Sequence, residues 1–127
     1  MQESGETYLE TILTLGINGP VRSIDIAGAL GYSKPSVSRA MSILRENGYI
    51  VIWDGHIELT ETGREKAARI YERHCLITQY LMDTLQIPES IAAQDACRIE
   101  HVISETSFAK IKARYCTEES SSSKEAD

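Results

Sequence analysis

The stretch from Ser23 to Thr60 limits the fold more than any other part of the chain. Ser23 can cap a short helix in which Ile26, Ala27 and Leu30 face inward, and Gly31 breaks it. Ser33 can cap a second helix with Pro35 in its first turn, where a missing amide hydrogen costs nothing. Val37, Ala40, Met41 and Leu44 recur there at steps of three and four and must face a core, until Asn47-Gly48 stops the helix. Two short β-rich runs follow between Tyr49 and Thr60, joined by Asp54-Gly55. That dipeptide supplies the positive φ angles of a two-residue hairpin turn. Two capped helices and a hairpin in immediate succession predict a winged helix-turn-helix.

The inward set of the second helix leaves Lys34, Ser36, Ser38, Arg39 and Ser42 outward or near its N-terminus. Small hydroxyl side chains let a helix enter the major groove closely, and the positive helix start suits phosphate. Arg39 can reach a guanine edge or a phosphate. The plain alternative is an amphipathic helical hairpin with polar outer faces. A net charge of −6 counts mildly against a nucleic-acid partner. Between Pro20 and Trp53, however, Arg22, Lys34, Arg39 and Arg45 face only Asp25 and Glu46. His56, at the hairpin tip, reads as an exposed turn histidine with no role.

Helices flank this core. Glu6 to Ile17 carries a stripe of Tyr8, Leu9, Ile12 and Leu15 and ends at Gly16, Gly19 and Pro20; Glu10, taken alone, reads as a solvated carboxylate. Thr60 can cap a long helix to about Leu85, whose seam of Ala67, Ile70, Ile77 and Leu81 is interrupted by His74. Cys75, Leu76 and Tyr80 read as packing residues. After Pro88 a further helix turns by about 100° per residue, which gathers Ala92, Ala96, Ile99 and Ile103 on one arc. Cys97, Glu100 and His101 gather on the neighbouring arc. A thiolate, a carboxylate and an imidazole at i, i+3 and i+4 converge above the helix, and each is an accepted ligand of a divalent transition ion. One helix cannot complete a coordination shell, and His74 is a ligand type on another helix without an evident mate. Ser104 to Tyr115 forms a last amphipathic helix with Phe108, Ile111 and Tyr115 on one side, and residues 117–127 read as a disordered polar tail. The apolar faces of this C-terminal half call for a partner, the simplest being an identical chain.

No apolar run approaches the roughly 18 residues of a membrane span, and no leader precedes one, so a cytoplasmic protein is expected. Three cysteines without a CxxC pair argue for reduced thiols rather than a disulfide framework. An enzyme using Cys97 and His101 as nucleophile and base lacks a third orienting group, so no enzyme is expected. A thiol-redox or metal-independent winged-helix regulator, or a winged-helix protein-interaction module, are the alternatives.

Tyr8-Leu9-Glu10-Thr11-Ile12, Ser33-Lys34-Pro35-Ser36-Val37-Ser38 and, most specifically, Ala96-Cys97-Arg98-Ile99-Glu100-His101-Val102 carry a family resemblance. From about Glu6 to Tyr115 the chain resembles the diphtheria toxin repressor and manganese transport regulator family of metal-dependent repressors. The resemblance implies a mainly α protein, with a winged helix-turn-helix over 1–62 and a connecting helix and helical metal-binding and dimerisation domain over 63–116. It places metal ligands at Cys97, Glu100, His101 and His74, and at Glu10 as in the manganese branch. DNA contacts are expected from Lys34, Pro35, Ser36, Ser38, Arg39 and Ser42, on a palindromic double-stranded operator bound by a homodimer. Thr7 stands where members place a methionine or aspartate ligand, and Thr78 and Ala93 stand where the iron branch has a glutamate and a histidine of its second site. The chain also stops before the SH3-like domain of the longer members. On softness the sulfur and nitrogen donors favour iron, cobalt, nickel or zinc over manganese, but cellular availability decides which ion is sensed. Within the resemblance, the short length and Glu10 look like the manganese branch and Cys97 like the iron branch, so Fe2+ is expected, with Mn2+ next, and Zn2+, Co2+ or Ni2+ in vitro. As co-repressor, the metal is expected to join the first and long helices to the dimerisation helix.

Overall fold

The computed structural model describes residues 3–126, and the side chains of residues 5–115. The chain folds as two units, 1–71 and 72–127. The first contains α1 (Glu3–Gly16), α2 (Ser23–Leu30), α3 (Lys34–Glu46), β1 (Ile50–Trp53), β2 (His56–Leu59) and the opening turns of α4 (Glu61–Leu85). The second contains the remainder of α4, then α5 (Glu89–Val102) and α6 (Glu105–Ala126). None of the helices is long and apolar enough, among the described residues, to cross a membrane.

In the first unit the helix ends are set by local hydrogen bonds. Arg22, not Ser23, is the N-cap of α2. The reason lies in Asp25, whose carboxylate accepts the Arg22 backbone N–H at 2.9 Å and makes Ser23 the first helical residue. Gly31 closes α2 at φ 70°, donating its N–H to the Ala27 carbonyl at 2.8 Å. Ser33 caps α3 as expected, accepting the Ser36 N–H at 3.3 Å, with Pro35 in the first turn. Leu9 from α1, Ile26 from α2, and Val37 and Met41 from α3 are buried together with Ile50 of β1. Each such side chain contributes about 1.5–3 kcal/mol by leaving water.

The wing is an antiparallel pair running from Ile50 opposite Leu59 to Trp53 opposite His56. Asp54 at φ 49° and Gly55 at φ 76° make the tight turn, so the alternation puts Ile50 and Ile57 inward and Val51 and Trp53 outward. Ile57 also donates its N–H to the Val21 carbonyl at 2.8 Å, which lengthens the hairpin by a one-residue bridge. Thr60 joins the wing to α4. Its hydroxyl donates to the Gly48 carbonyl at 2.7 Å and accepts the Gly63 N–H at 3.1 Å. The resulting approach is so close that a Cβ on Gly63 would lie 1.9 Å from the Tyr49 carbonyl oxygen.

The second unit packs Ile77 of α4, Ala96 of α5 and Phe108 of α6 at its centre, with Leu81, Ile99 and Ile111 around them. Ala92 and Ala96 are wholly buried, and their small size lets α5 approach its neighbours. Polar contacts fasten α4 to α6: Lys112 to Glu72 at 3.0 Å, Tyr115 to Asp83 at 3.3 Å, and the Arg114 guanidinium over the Tyr80 ring. Cys75 departs from the expected packing role. It lies on the exposed side of α4, two residues and so about 200° of rotation from buried Ile77. The backbone of 117–126, expected to be a disordered tail, belongs to α6, while its side chains and Asp127 lie outside the described residues.

Candidate metal centre

The second unit places His74 on α4 against Cys97 and Glu100 on α5, and one ligand atom from each lies within 4.8 Å of the other two. His74 Nδ1 is 3.2 Å from Glu100 Oε2 and 3.8 Å from Cys97 Sγ. His101 Nε2 approaches the other carboxylate oxygen, Glu100 Oε1, at 3.3 Å. The Glu100 side chain is 1% exposed, that of His101 3% and that of His74 22%, while Cys97 opens to solvent. A buried carboxylate thus lies between two imidazoles, and the cluster has one wet edge.

Ligand atoms on a tetrahedral ion with bonds of 2.0–2.3 Å stand about 3.3–3.8 Å apart. The nitrogen–oxygen and nitrogen–sulfur separations of His74, Glu100 and Cys97 match that spacing, so the donor set and its geometry fit a divalent transition ion. A buried carboxylate favours such an ion because a charge removed from water needs compensating positive charge close by. Among the sequence-derived candidates, His74, Cys97 and Glu100 form the cluster, and His101 joins it through Glu100 rather than through the shared point. Glu10 lies in the first unit, half-buried on α1.

One residue of this neighbourhood had no sequence signal. Arg73 reaches from α4 to the Glu100 carbonyl oxygen at 3.3 Å and to the Glu105 carboxylate at 2.6 Å. Its adjacency to His74 is visible in the sequence, but residues 27 and 32 positions away cannot be paired with it by periodicity.

On α3, Lys34, Pro35, Ser36, Ser38, Arg39 and Ser42 are all exposed, opposite buried Val37, Met41 and Leu44. At the wing His56 is tethered, in contrast to the idle role expected of it. It accepts a hydrogen bond from Arg22 Nη2 at 3.0 Å and meets the Trp53 ring edge-on at 5.5 Å. Arginine has donors only, so Nε2 of His56 is the acceptor of this bond.

A winged helix-turn-helix followed by a helical unit with clustered nitrogen, sulfur and oxygen ligands defines a class, the winged-helix proteins that carry a candidate metal centre in a second, helical unit. Residues 1–54 match the N-terminal DNA-binding domain of the iron-dependent repressors, and residues 60–117 match the metal-binding and dimerisation domain of the same family. The chain belongs to the iron-dependent repressor family. It is 39% identical over 106 residues to the iron-dependent repressor IdeR of Mycobacterium tuberculosis, a match covering 81% of this chain and 46% of that protein. An HTH-type transcriptional regulator of Methanocaldococcus jannaschii is 31% identical over 116 residues, covering 88% of this chain and 92% of the relative. Among solved structures, a manganese-dependent transcriptional repressor in complex with manganese superimposes with a TM-score of 0.81 at 27% identity, covering 87% of this chain and 51% of the other. The chain therefore spans about half the length of the mycobacterial relative.

Proposed function

We propose that this protein is a metal-dependent DNA-binding transcriptional repressor that controls metal-ion homeostasis. The observation that carries the reading is the meeting of His74, Cys97 and Glu100 ligand atoms within 4.8 Å of one another. These three side chains would hold the ion, and His101, bonded to the far oxygen of Glu100, would orient the carboxylate. Family resemblance adds Glu10 and His101 to the ligand set. When bound, a divalent cation would supply positive charge to the thiolate and carboxylate ligands. The Cys97 thiolate favours Fe2+ over Mn2+ on softness, while the family resemblance at Glu10 keeps Mn2+ next as the sensed ion.

The partner is double-stranded DNA. Lys34 and Arg39 supply charge to phosphates or a guanine edge, and Ser36, Ser38 and Ser42 with Pro35 leave the outer face of α3 shallow enough for the major groove. A homodimer would present two such helices to a two-fold symmetric operator, at half-site spacing of roughly 34 Å. The protein acts by binding rather than by catalysis, in the cytoplasm. The test is an anaerobic selection of DNA fragments by the purified protein with chelator, with iron(II) and with manganese(II). A symmetric site enriched only with metal is the expected result. Enrichment indifferent to metal would leave a DNA-binding protein whose cluster has another task. Exposed Cys97, 3.8 Å from His74 Nδ1, supports a thiol-redox regulator as that other reading. Under it, mild oxidation would abolish DNA binding and added thiol would restore it.

A further inference from the structure

We propose that Arg73 is a positioning residue of the metal centre, and that through it the placement of Glu100 and the first turn of α6 depend on each other. The proposal rests on the metal-site reading above. The last four carbonyls of a helix have no intrahelical donor. At the end of α5 the Ile99 carbonyl accepts the Ile103 N–H at 2.9 Å, and the Glu100 carbonyl accepts Arg73 Nη1 at 3.3 Å. The residue that brings the buried carboxylate to the cluster therefore has its backbone held by a side chain from α4. That side chain is the sequence neighbour of His74, the ligand opposite.

The same guanidinium makes two further contacts. Its Nη2 donates to Glu105 Oε1 at 2.6 Å, and its carbon lies 5.2 Å from the centre of the Phe108 ring. Glu105 opens α6 and Phe108 is in its first turns, so one planar group spans the end of α5 and the start of α6. The Arg73 side chain is 21% exposed and that of Glu105 is 90% exposed. Water and salt screen the pair with Glu105, whereas the bond to the Glu100 carbonyl is made by the shielded side of the fork. Lysine, a point charge on a flexible stem, cannot bond the carbonyl, pair with Glu105 and stack on Phe108 at once. An ion that fixes the Glu100 side chain would therefore steady its backbone, the Arg73 fork and the α6 start in turn.

Cobalt(II) titration of the reduced, full chain tests this, read by thiolate-to-cobalt absorption and by hydrogen exchange of the Ser107 and Phe108 amides. Wild type is expected to bind with a thiolate band and to gain protection at both amides. Arg73→Met should lower cobalt affinity about tenfold, the low end for loss of an outer-shell partner, and abolish the gain in protection. Arg73→Lys should recover part of the affinity. Glu105→Gln, at an exposed site, should cost about two- to threefold, as a screened pair does, and nothing further in the Arg73→Met background. Wild-type affinity and protection in Arg73→Met would overturn the proposal, as would a lowered melting temperature with unchanged cobalt binding. If Arg73→Met does not fold, Glu105→Gln decides, and unchanged affinity there overturns it. Wild type without a thiolate band would instead overturn the metal-site reading on which the proposal rests.

Discussion

Glu100 contributes the one buried carboxylate among the described residues, and its environment predicts that substitution there is costly. Both of its oxygens face imidazole nitrogens, at 3.2 and 3.3 Å. Replacement by glutamine keeps the shape and removes the charge, so Glu100→Gln should weaken cobalt(II) or iron(II) binding on the order of 100-fold, at least the upper end of the loss for an outer-shell partner. Isothermal titration measures this directly, and affinity within a few-fold of wild type would remove Glu100 from the ligand set. Gly63 is constrained by space instead of charge. A methyl group there would meet the Tyr49 carbonyl oxygen at 1.9 Å, so Gly63→Ala must displace α4 or the wing entry. The expected loss is about 1–3 kcal/mol or more by overpacking, seen as a lower urea midpoint in the transition of the first unit.

At the level of helices and strands, most of the fold could be read from local chemistry. Ser33 and Pro35 announce the start of α3, Asp54-Gly55 announces the wing turn, and the periodicity of Val37, Met41 and Leu44 gives the buried face. Ser33→Ala should therefore cost about 1 kcal/mol in thermal or urea unfolding. Arg39→Ala, on the exposed face of the same helix, should leave stability within about 0.5 kcal/mol of wild type while reducing DNA affinity in fluorescence anisotropy. Equal DNA affinity would mean that the outer face of α3 does not read DNA. The i, i+3, i+4 spacing on α5 likewise revealed Cys97, Glu100 and His101, because all three lie on one helix. What stayed hidden depended on contacts between elements. Periodicity put His74 on a seam but could not show which oxygen of Glu100 it faces, nor that His101 takes the other. The Arg22–His56 bond spans 34 positions, and the use of Asp25 to set the α2 start competes with an equally plausible serine cap one residue later.

For the whole molecule, binding of an ion to the folded state alone links occupancy to stability. At 100 times the dissociation constant the gain is about 2.7 kcal/mol, so anaerobic iron(II) or cobalt(II) should raise the melting temperature and a chelator should reverse it. An unchanged melting temperature at saturating ion would speak against a site formed by folding. Operator binding should weaken steeply as salt rises, since the basic face of α3 acts within a chain of net charge −6. If metal strengthens operator binding, DNA must strengthen metal binding by the same factor. The junction where Thr60 clasps Gly48 and Gly63 crowds Tyr49 also bears on ancestry. Around it Glu61, Thr62, Arg64 and Glu65 are exposed, so descendants can exchange them with little penalty. Position 63 is a bottleneck in that drift, because every replacement adds an atom where the neighbouring backbone already stands.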